Sequence, residues 1–368
     1  MYHLLRPLLF KLDAERAHRW SIYAARVAQA LAPSLVNSAF EFERDALGQS
    51  LWGLSFPNPV GLAAGFDKNA RLTRLWPHVG FGFAEVGSVS AQPSEGNPQP
   101  RAFRLPADRA LINRMGLNND GAAAIADRLA AHADQRPRPV GVNLAKTHDP
   151  SITGADAVDD YRTSFRQLAP HADYVVLNIS CPNTADGQTF ERPAALRALL
   201  ETLNDERDAR DANVPLLLKL APFYSERVVF DSRLEEIIAC AQEHDVDGFV
   251  AANTLSAGND LALDTDRQRL NEIGSGGLSG PPLAERANRL VRYLYRATDG
   301  ALPIIGVGGI DSGAAAYRRI RAGASLVQLY TGLVYEGPGL VRSIKETLAQ
   351  RLAEDSVGTL ADVVGADV

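Results

Sequence analysis

The stretches LPIIGVGGI (302–310) and SLVQLYTG (325–332) decide the fold. Each is a short, near-continuous apolar run that ends in glycine or hydroxyl residues. A run with no polar face reads as a strand buried on both sides, the condition of a parallel sheet covered by helices. Working outward, the same kind of run recurs as NPVGLAAG (58–65), FGFAEVGSV (81–89), PVGVNLAKT (139–147), ADYVVLNIS (172–180), VPLLLKLAP (214–222) and VDGFVAANT (246–254). Segments of helical period lie between them, among them Pro193–Arg210, Ser225–His244 and Pro281–Asp299. Eight strand–helix units over about 250 to 280 residues predict an α/β chain folded as a (β/α)8 barrel. The alternative is a doubly wound open sheet, but no GxGxxG opens a helix after the first strand.

Composition excludes several function classes. The chain has 368 residues, 46% of them apolar, and a formal net charge of -6, with no basic signature for nucleic acid. Its two cysteines, Cys181 and Cys240, match neither a disulfide framework nor a metal-ligand spacing, and the seven histidines form no ligand pair. A reducing compartment is expected. No run approaches the ~20 apolar residues of a transmembrane helix. Arg6, Lys11, Asp13 and Glu15 interrupt the apolar runs of the N-terminus, so no signal peptide is expected.

Pro33, Asn37 and Gly48 punctuate a polar stretch, which sets a boundary between a small helical element (1–40) and the barrel (41–368). Ala17, Trp20, Ala24, Val27 and Leu31 form a stripe of helical period in the first part. Residues 1–31 carry five Arg or Lys against two Asp or Glu. A basic amphipathic helix pair suits a membrane interface; packing on the chain's own barrel is the alternative.

A barrel of this kind carries function where strands end, on its C-terminal face. The strand ends collect amides (Asn143, Asn178, Asn253), lysines (Lys68, Lys146, Lys219) and one thiol, Cys181. No carboxylate or histidine cluster is among them, which argues against metal hydrolysis and paired-carboxylate chemistry. Lys219 lies inside LLLKLA, where a lysine is costly unless it snorkels or faces an anion. Gly306–Gly309 after the seventh run and Tyr330–Thr331–Gly332 after the eighth stand at the usual barrel phosphate site, with Gly276, Gly277 and Gly280 upstream. The amides, with Asn113 and Asn183 on loops, suit a planar heterocycle such as a flavin or a pyrimidine.

Six ordered motifs, GLAAGFDK, INRMGLNN, LNISCPNT, GGLSGPPL, PIIGVGGIDS and GASLVQLYTG, resemble those of the dihydroorotate dehydrogenases. The resemblance runs from about residue 4 to 345. It implies oxidation of dihydroorotate to orotate by flavin mononucleotide (FMN), the redox step of pyrimidine synthesis. LLFKLDAERAH (8–18) resembles the extension of the quinone-reducing class, which implies a membrane quinone as acceptor and a peripheral place on the cytoplasmic face of the cell membrane.

The resemblance also implies site residues. Those for the flavin are Ala63, Ala64, Gly65, Ser88, Asn143, Asn178, Lys219, Ala252, Gly280, Gly309, Tyr330 and Thr331. Those for the substrate are Lys68, Asn113, Arg114, Met115, Gly116, Leu117, Asn178, Asn183, Asn253 and Thr254. His18, Arg104 and Tyr330 match the polar positions of a quinone tunnel. Cys181 and Lys219 match the catalytic positions, and no metal is implied. The chain departs from the pattern twice. Cys181 stands where the quinone class usually has serine, and Ala252 where a flavin-contacting threonine is common. Other readings are a soluble fumarate- or NAD-dependent enzyme of the same family, another flavin-dependent pyrimidine oxidoreductase, and a non-redox phosphate-binding barrel.

Overall fold

The computed structural model describes residues 2–180, 189–209, 214–223, 231–256 and 262–368. All eight runs are strands: β1 (Val60–Leu62), β2 (Phe83–Val89), β3 (Val140–Leu144), β4 (Tyr174–Asn178), β5 (Leu216–Leu220), β6 (Gly248–Ala251), β7 (Ile304–Val307) and β8 (Leu326–Leu329). They pair in sequence order and in parallel, and β8 closes on β1, so the sheet is a barrel and not an open doubly wound sheet. Every residue of β3, β4 and β5 is buried, which is why these runs are apolar without alternation. The surrounding helices bury one stripe each. Pro193–Asp208 buries Leu196, Leu199, Leu200 and Leu203, a 3-1-3 spacing on one face, and starts with proline at its first turn.

Inside the barrel, side chains from alternate strand positions stack in layers. A hairpin, Gln49–Leu51 paired with Leu54–Phe56, plugs the N-terminal mouth. Phe56 packs there against Phe83, with ring centroids 5.4 Å apart. Trp52 Nε1 donates to the Asp247 carbonyl at 2.8 Å. Space for two rings comes from two glycines. A Cβ at Gly61 would sit 2.2 Å from the Phe83 ring, and one at Gly141 2.1 Å from the Tyr174 ring. The next layer up is polar, and the candidate site rests on it.

Two additions lie at the C-terminal mouth. A four-stranded antiparallel sheet joins Ala102–Leu105, Ala110–Asn113, Gly277–Ser279 and Leu255–Ser256. Three N-terminal helices, α1 (Tyr2–Leu9), α2 (Ala14–Leu31) and α3 (Pro33–Phe40), pack nearby. Tyr2 Oη donates to the Val334 carbonyl at 2.6 Å, docking α1 on the helix that follows β8. Glu15 of α2 receives two hydrogen bonds from the Arg101 guanidinium, at 2.9 and 3.2 Å. Ile22, Ala25 and Val36 pack against the core around Leu75, Trp76 and Val79.

Candidate active site

One cavity of about 850 Å³ runs from the strand ends of the barrel to the N-terminal helices. Its barrel end is lined by Ala63, Ala64 and Gly65 after β1, Ser88 on β2, Asn178 on β4, Lys219 on β5, and Ala252, Asn253 and Thr254 after β6. Gly280, Gly309, Tyr330 and Thr331 close the β7–β8 side. Lys68, Asn113, Met115, Gly116 and Leu117 line it from loops and the antiparallel sheet. At the other end stand His18 of α2 and Arg104, so all three residues expected in a tunnel open onto the same space.

Two expected residues do not line the cavity. Arg114 turns away, donating to the Ser275 carbonyl at 3.0 Å and lying over the Phe103 ring. Asn143 is fully buried behind Ser88, whose Oγ donates to its amide oxygen. The glycines Gly276 and Gly277 serve the antiparallel sheet: Gly277 pairs with Asn113, and a Cβ at Gly276 would sit 2.9 Å from the Asn113 carbonyl oxygen. Lys146 ties a loop, donating to the Asp149 and Ile152 carbonyls at 2.7 and 2.9 Å. Cys181 and Asn183 lie outside the described residues.

The polar floor is a connected network. Glu85 on β2 has no exposed surface. Its carboxylate accepts from Asn143 Nδ2 at 2.8 Å and from Gln328 Nε2 at 2.6 Å, and Lys219 Nζ lies 3.7 Å away. Asn178 Nδ2 donates to Ser88 Oγ at 3.0 Å, and Asn253 Nδ2 to Asn178 Oδ1 at 2.9 Å. At the rim, Lys68 Nζ donates to Asn118 Oδ1 at 2.6 Å. Sequence reasoning missed Glu85, Gln328 and Asn118. Glu85 carried the signal that found Lys219, a charge inside an apolar run.

An aromatic bridge joins the two ends of the cavity. Phe66, in the loop after β1, makes edge contacts with His18 of α2 (4.9 Å between centroids) and with Tyr330 (5.4 Å). Burial, with help from the Lys68 ammonium, pulls the His18 imidazole down to about 4, so it is neutral at pH 7. Burial pushes the Tyr330 phenol up to about 12. Arg104 lies over the Phe10 ring at 4.6 Å and donates to the Leu12 carbonyl at 2.8 Å. Around the phosphate-like end, Gly308 and Gly309 have φ of +99° and +72°. Gly308, Gly309 and Ile310 line the cavity here. Backbone beside glycines can approach an anion closely, and buried amides with a lysine suit a polar planar ring.

A closed parallel barrel with such a cavity at its C-terminal mouth is a ligand- or cofactor-binding barrel enzyme in construction. Among the described residues no group of three His, Cys, Asp or Glu could hold a metal ion. The family model for dihydroorotate dehydrogenase matches residues 46–352. Relatives named dihydroorotate dehydrogenase (quinone) include one from Roseiflexus sp. (strain RS-1), 44% identical, the match covering 99% of this chain and 98% of the relative. Another, from Haloarcula marismortui, is 43% identical over 100% of this chain and 99% of its own length. A crystal structure of Eimeria tenella DHODH in complex with ferulenol superposes with a TM-score of 0.86 at 32% identity, covering 99% of this chain and 98% of that one. The chain belongs to the dihydroorotate dehydrogenase family, flavin-dependent oxidoreductases of pyrimidine biosynthesis, and within it to the quinone class.

Proposed function

We propose that this chain binds flavin mononucleotide in the barrel mouth, oxidises dihydroorotate there, and delivers the electrons to a quinone that enters between the N-terminal helices from a membrane surface. The observation that carries this reading is the single cavity joining the lysine-and-amide floor to the α2 face. The residues present fit the cofactor. The Gly308–Gly309 turn, with both φ angles positive and both glycines lining the cavity, suits its phosphate, and Lys219, Ser88, Asn178 and Tyr330 suit its ring. When bound, the flavin supplies the redox chemistry, accepting a hydride equivalent from the substrate and returning two electrons to the quinone.

The chain's own part is binding, charge placement and proton transfer. Lys219 places a buried cation at the floor, where negative charge accumulates during reduction and where a dry site magnifies its effect. Lys68, Asn113, Asn178, Asn253 and Thr254 would hold the carboxylate and ring of dihydroorotate. Cys181, three positions after Asn178, is the base in this reading and takes the C5 proton. An ordinary thiol pKa of about 8.5 is close enough to working pH for that task. His18, Arg104 and Tyr330 would meet the quinone.

Residues 1–40 form the membrane element. Apart from Val368, the large apolar side chains that stand exposed among the described residues all lie in 4–35: Trp20 is 63% exposed, Leu35 73%, Leu31 79% and Leu4 80%. No helix among the described residues is long and apolar enough to cross a membrane; in this reading the exposed apolar face attaches peripherally, on the cytoplasmic side. The test is purification followed by acceptor assays. The protein should be yellow, release flavin mononucleotide on denaturation, and oxidise dihydroorotate with ubiquinone or menaquinone far faster than with fumarate or NAD. A colourless preparation with full activity, or a preference for fumarate or NAD, would sink it.

A further inference from the structure

The most buried charged group near the cavity does not touch it. Glu85 sits one layer below, on β2, while Lys219, Gln328, Ser88, Asn178 and Asn253 face the cavity above. An isolated carboxylate there would be very costly. Glu85 is satisfied by Asn143, Gln328 and Lys219 together. A carboxylate only accepts hydrogen bonds. Asn143 therefore turns its NH2 down to Glu85 and its oxygen up to Ser88. The Ser88 hydroxyl donates to that oxygen and accepts from Asn178. The Asn178 oxygen accepts from Asn253, which also donates to the Ser180 carbonyl at 3.0 Å and accepts from Thr254 N–H at 2.8 Å. Each member of this run across β2, β3, β4 and the end of β6 has one polarity, anchored below by the Glu85 carboxylate.

We propose that Glu85 is a positioning residue for the redox centre: its buried carboxylate fixes the polarity of the amide run and, as the counter-charge of Lys219, sets how much positive potential reaches the bound flavin. The proposal rests on the flavin reading above. It gives Lys219 a tuned charge, partly neutralised from below, instead of a full one. Removing the carboxylate leaves that cation uncompensated in a dry site, which stabilises the reduced, more negative flavin.

The structure also offers a clean substitution. Gln328 Oε1 is buried without a hydrogen-bond partner among the described residues. With glutamine at position 85, the new amide oxygen can accept from Asn143 while its NH2 donates to Gln328, once the Gln328 amide turns over. Glu85→Gln thus removes the charge and keeps the bonding count. The experiment is a flavin midpoint titration, followed by absorbance, on FMN-loaded full-length protein. Glu85→Gln should shift the equilibrium at least tenfold toward reduced flavin, about 30 mV upward for a two-electron couple. Glu85→Asp, which keeps the charge, should stay closer to wild type. In a Lys219→Met background the Glu85→Gln shift should fall below about threefold, because a buried carboxylate stripped of its cation takes up a proton and leaves little charge to remove. An unchanged or lowered potential in Glu85→Gln would overturn the proposal, as would an undiminished shift without Lys219. If Glu85→Gln alone retains no flavin, Lys219→Met and the double variant are compared, and unequal potentials overturn it. Wild-type protein that takes up no added FMN would overturn the flavin reading itself, a result distinct from a bound flavin whose potential ignores Glu85.

Discussion

At the scale of single residues, the site is decided by charges placed where they are expensive. Cys181 is the simplest to test. Cys181→Ala should keep flavin while the rate of flavin reduction by dihydroorotate falls by about 10²–10⁴, the usual worth of a general base. Cys181→Ser should keep activity with its pH profile moved upward, since a hydroxyl is the weaker acid. Stopped-flow traces across pH read both, and a wild-type rate in the alanine variant removes Cys181 from the mechanism. His18 supplies a second prediction. Its folded value of about 4 lies below the ordinary 6.5. Above pH 6.5 both folded and unfolded chains hold it neutral. As pH falls from 6.5 toward 4 the unfolded chain takes up the proton first, so the folded state loses stability across that window. In His18→Gln the acid side of the stability profile should be flatter, and an imidazole NMR titration centred near 6.5 would refute the burial argument. Lys219 was legible because a lysine inside LLLKLA is costly unless it snorkels or faces an anion. Glu85 inside FGFAEVGSV sent the same signal. What the sequence withheld was the register across β2, β3, β5 and β8, which lets Glu85 meet Asn143, Lys219 and Gln328. Asn143 shows the converse: an amide at a strand end was legible as polar, but not that Ser88 stands between it and the cavity.

At the scale of elements, long-period and short-period signals fared differently. The eight strands were readable because both of their faces are buried, so each left an unbroken apolar run. The antiparallel sheet at the barrel mouth was not. Its strands are only two to four residues long, and Leu255–Ser256 and Gly277–Ser279 pair with partners far away in sequence. Glycines that read as phosphate cradle at 276 and 277 are there so that backbones can approach. The α2 stripe was readable, and its direction is now visible. Trp20, Ala24, Val27 and Leu31 face outward, whereas Ile22 and Ala25 turn inward to the core and Ala17 lines the cavity. A helix can pack on its barrel with one face and, as proposed, offer the other to a membrane. Replacing Trp20, Leu31 and Leu35 together with aspartate should weaken binding to anionic phospholipid vesicles by at least ~10²-fold, since burying each large apolar side chain contributes about 1.5–3 kcal/mol. The barrel half of the reaction should be untouched. Sedimentation with vesicles measures the first, and rapid mixing with dihydroorotate the second. Undiminished vesicle binding would mean that this face meets something other than lipid.

At the scale of the whole molecule, the proposed reading has two half-reactions share one cavity, each at its own end. Dihydroorotate would be handled between Lys68 and the strand ends of the barrel; quinone would arrive past α2. Among the α2 residues that line the cavity, Ala14, Ala17, Ala25 and Ala28 are small and leave room between larger ones such as His18, Ile22 and Tyr23. Volume is thus left unfilled where protein interiors are ordinarily packed to density. A large side chain placed there should close the outer end and leave the barrel mouth alone. In Ala17→Phe the quinone KM should rise about tenfold or more, in line with the loss of roughly 1.4 kcal/mol of binding. Flavin content and the rate of flavin reduction by dihydroorotate should match wild type, because position 17 lies on α2 and the Glu85–Asn253 run lies on the barrel strands and their ends. Steady-state assays with a soluble short-chain quinone avoid confusing this effect with membrane attachment. If both half-reactions slow together, the cavity does not work as two ends of one path. If neither slows, quinone reaches the flavin by a route that does not pass α2.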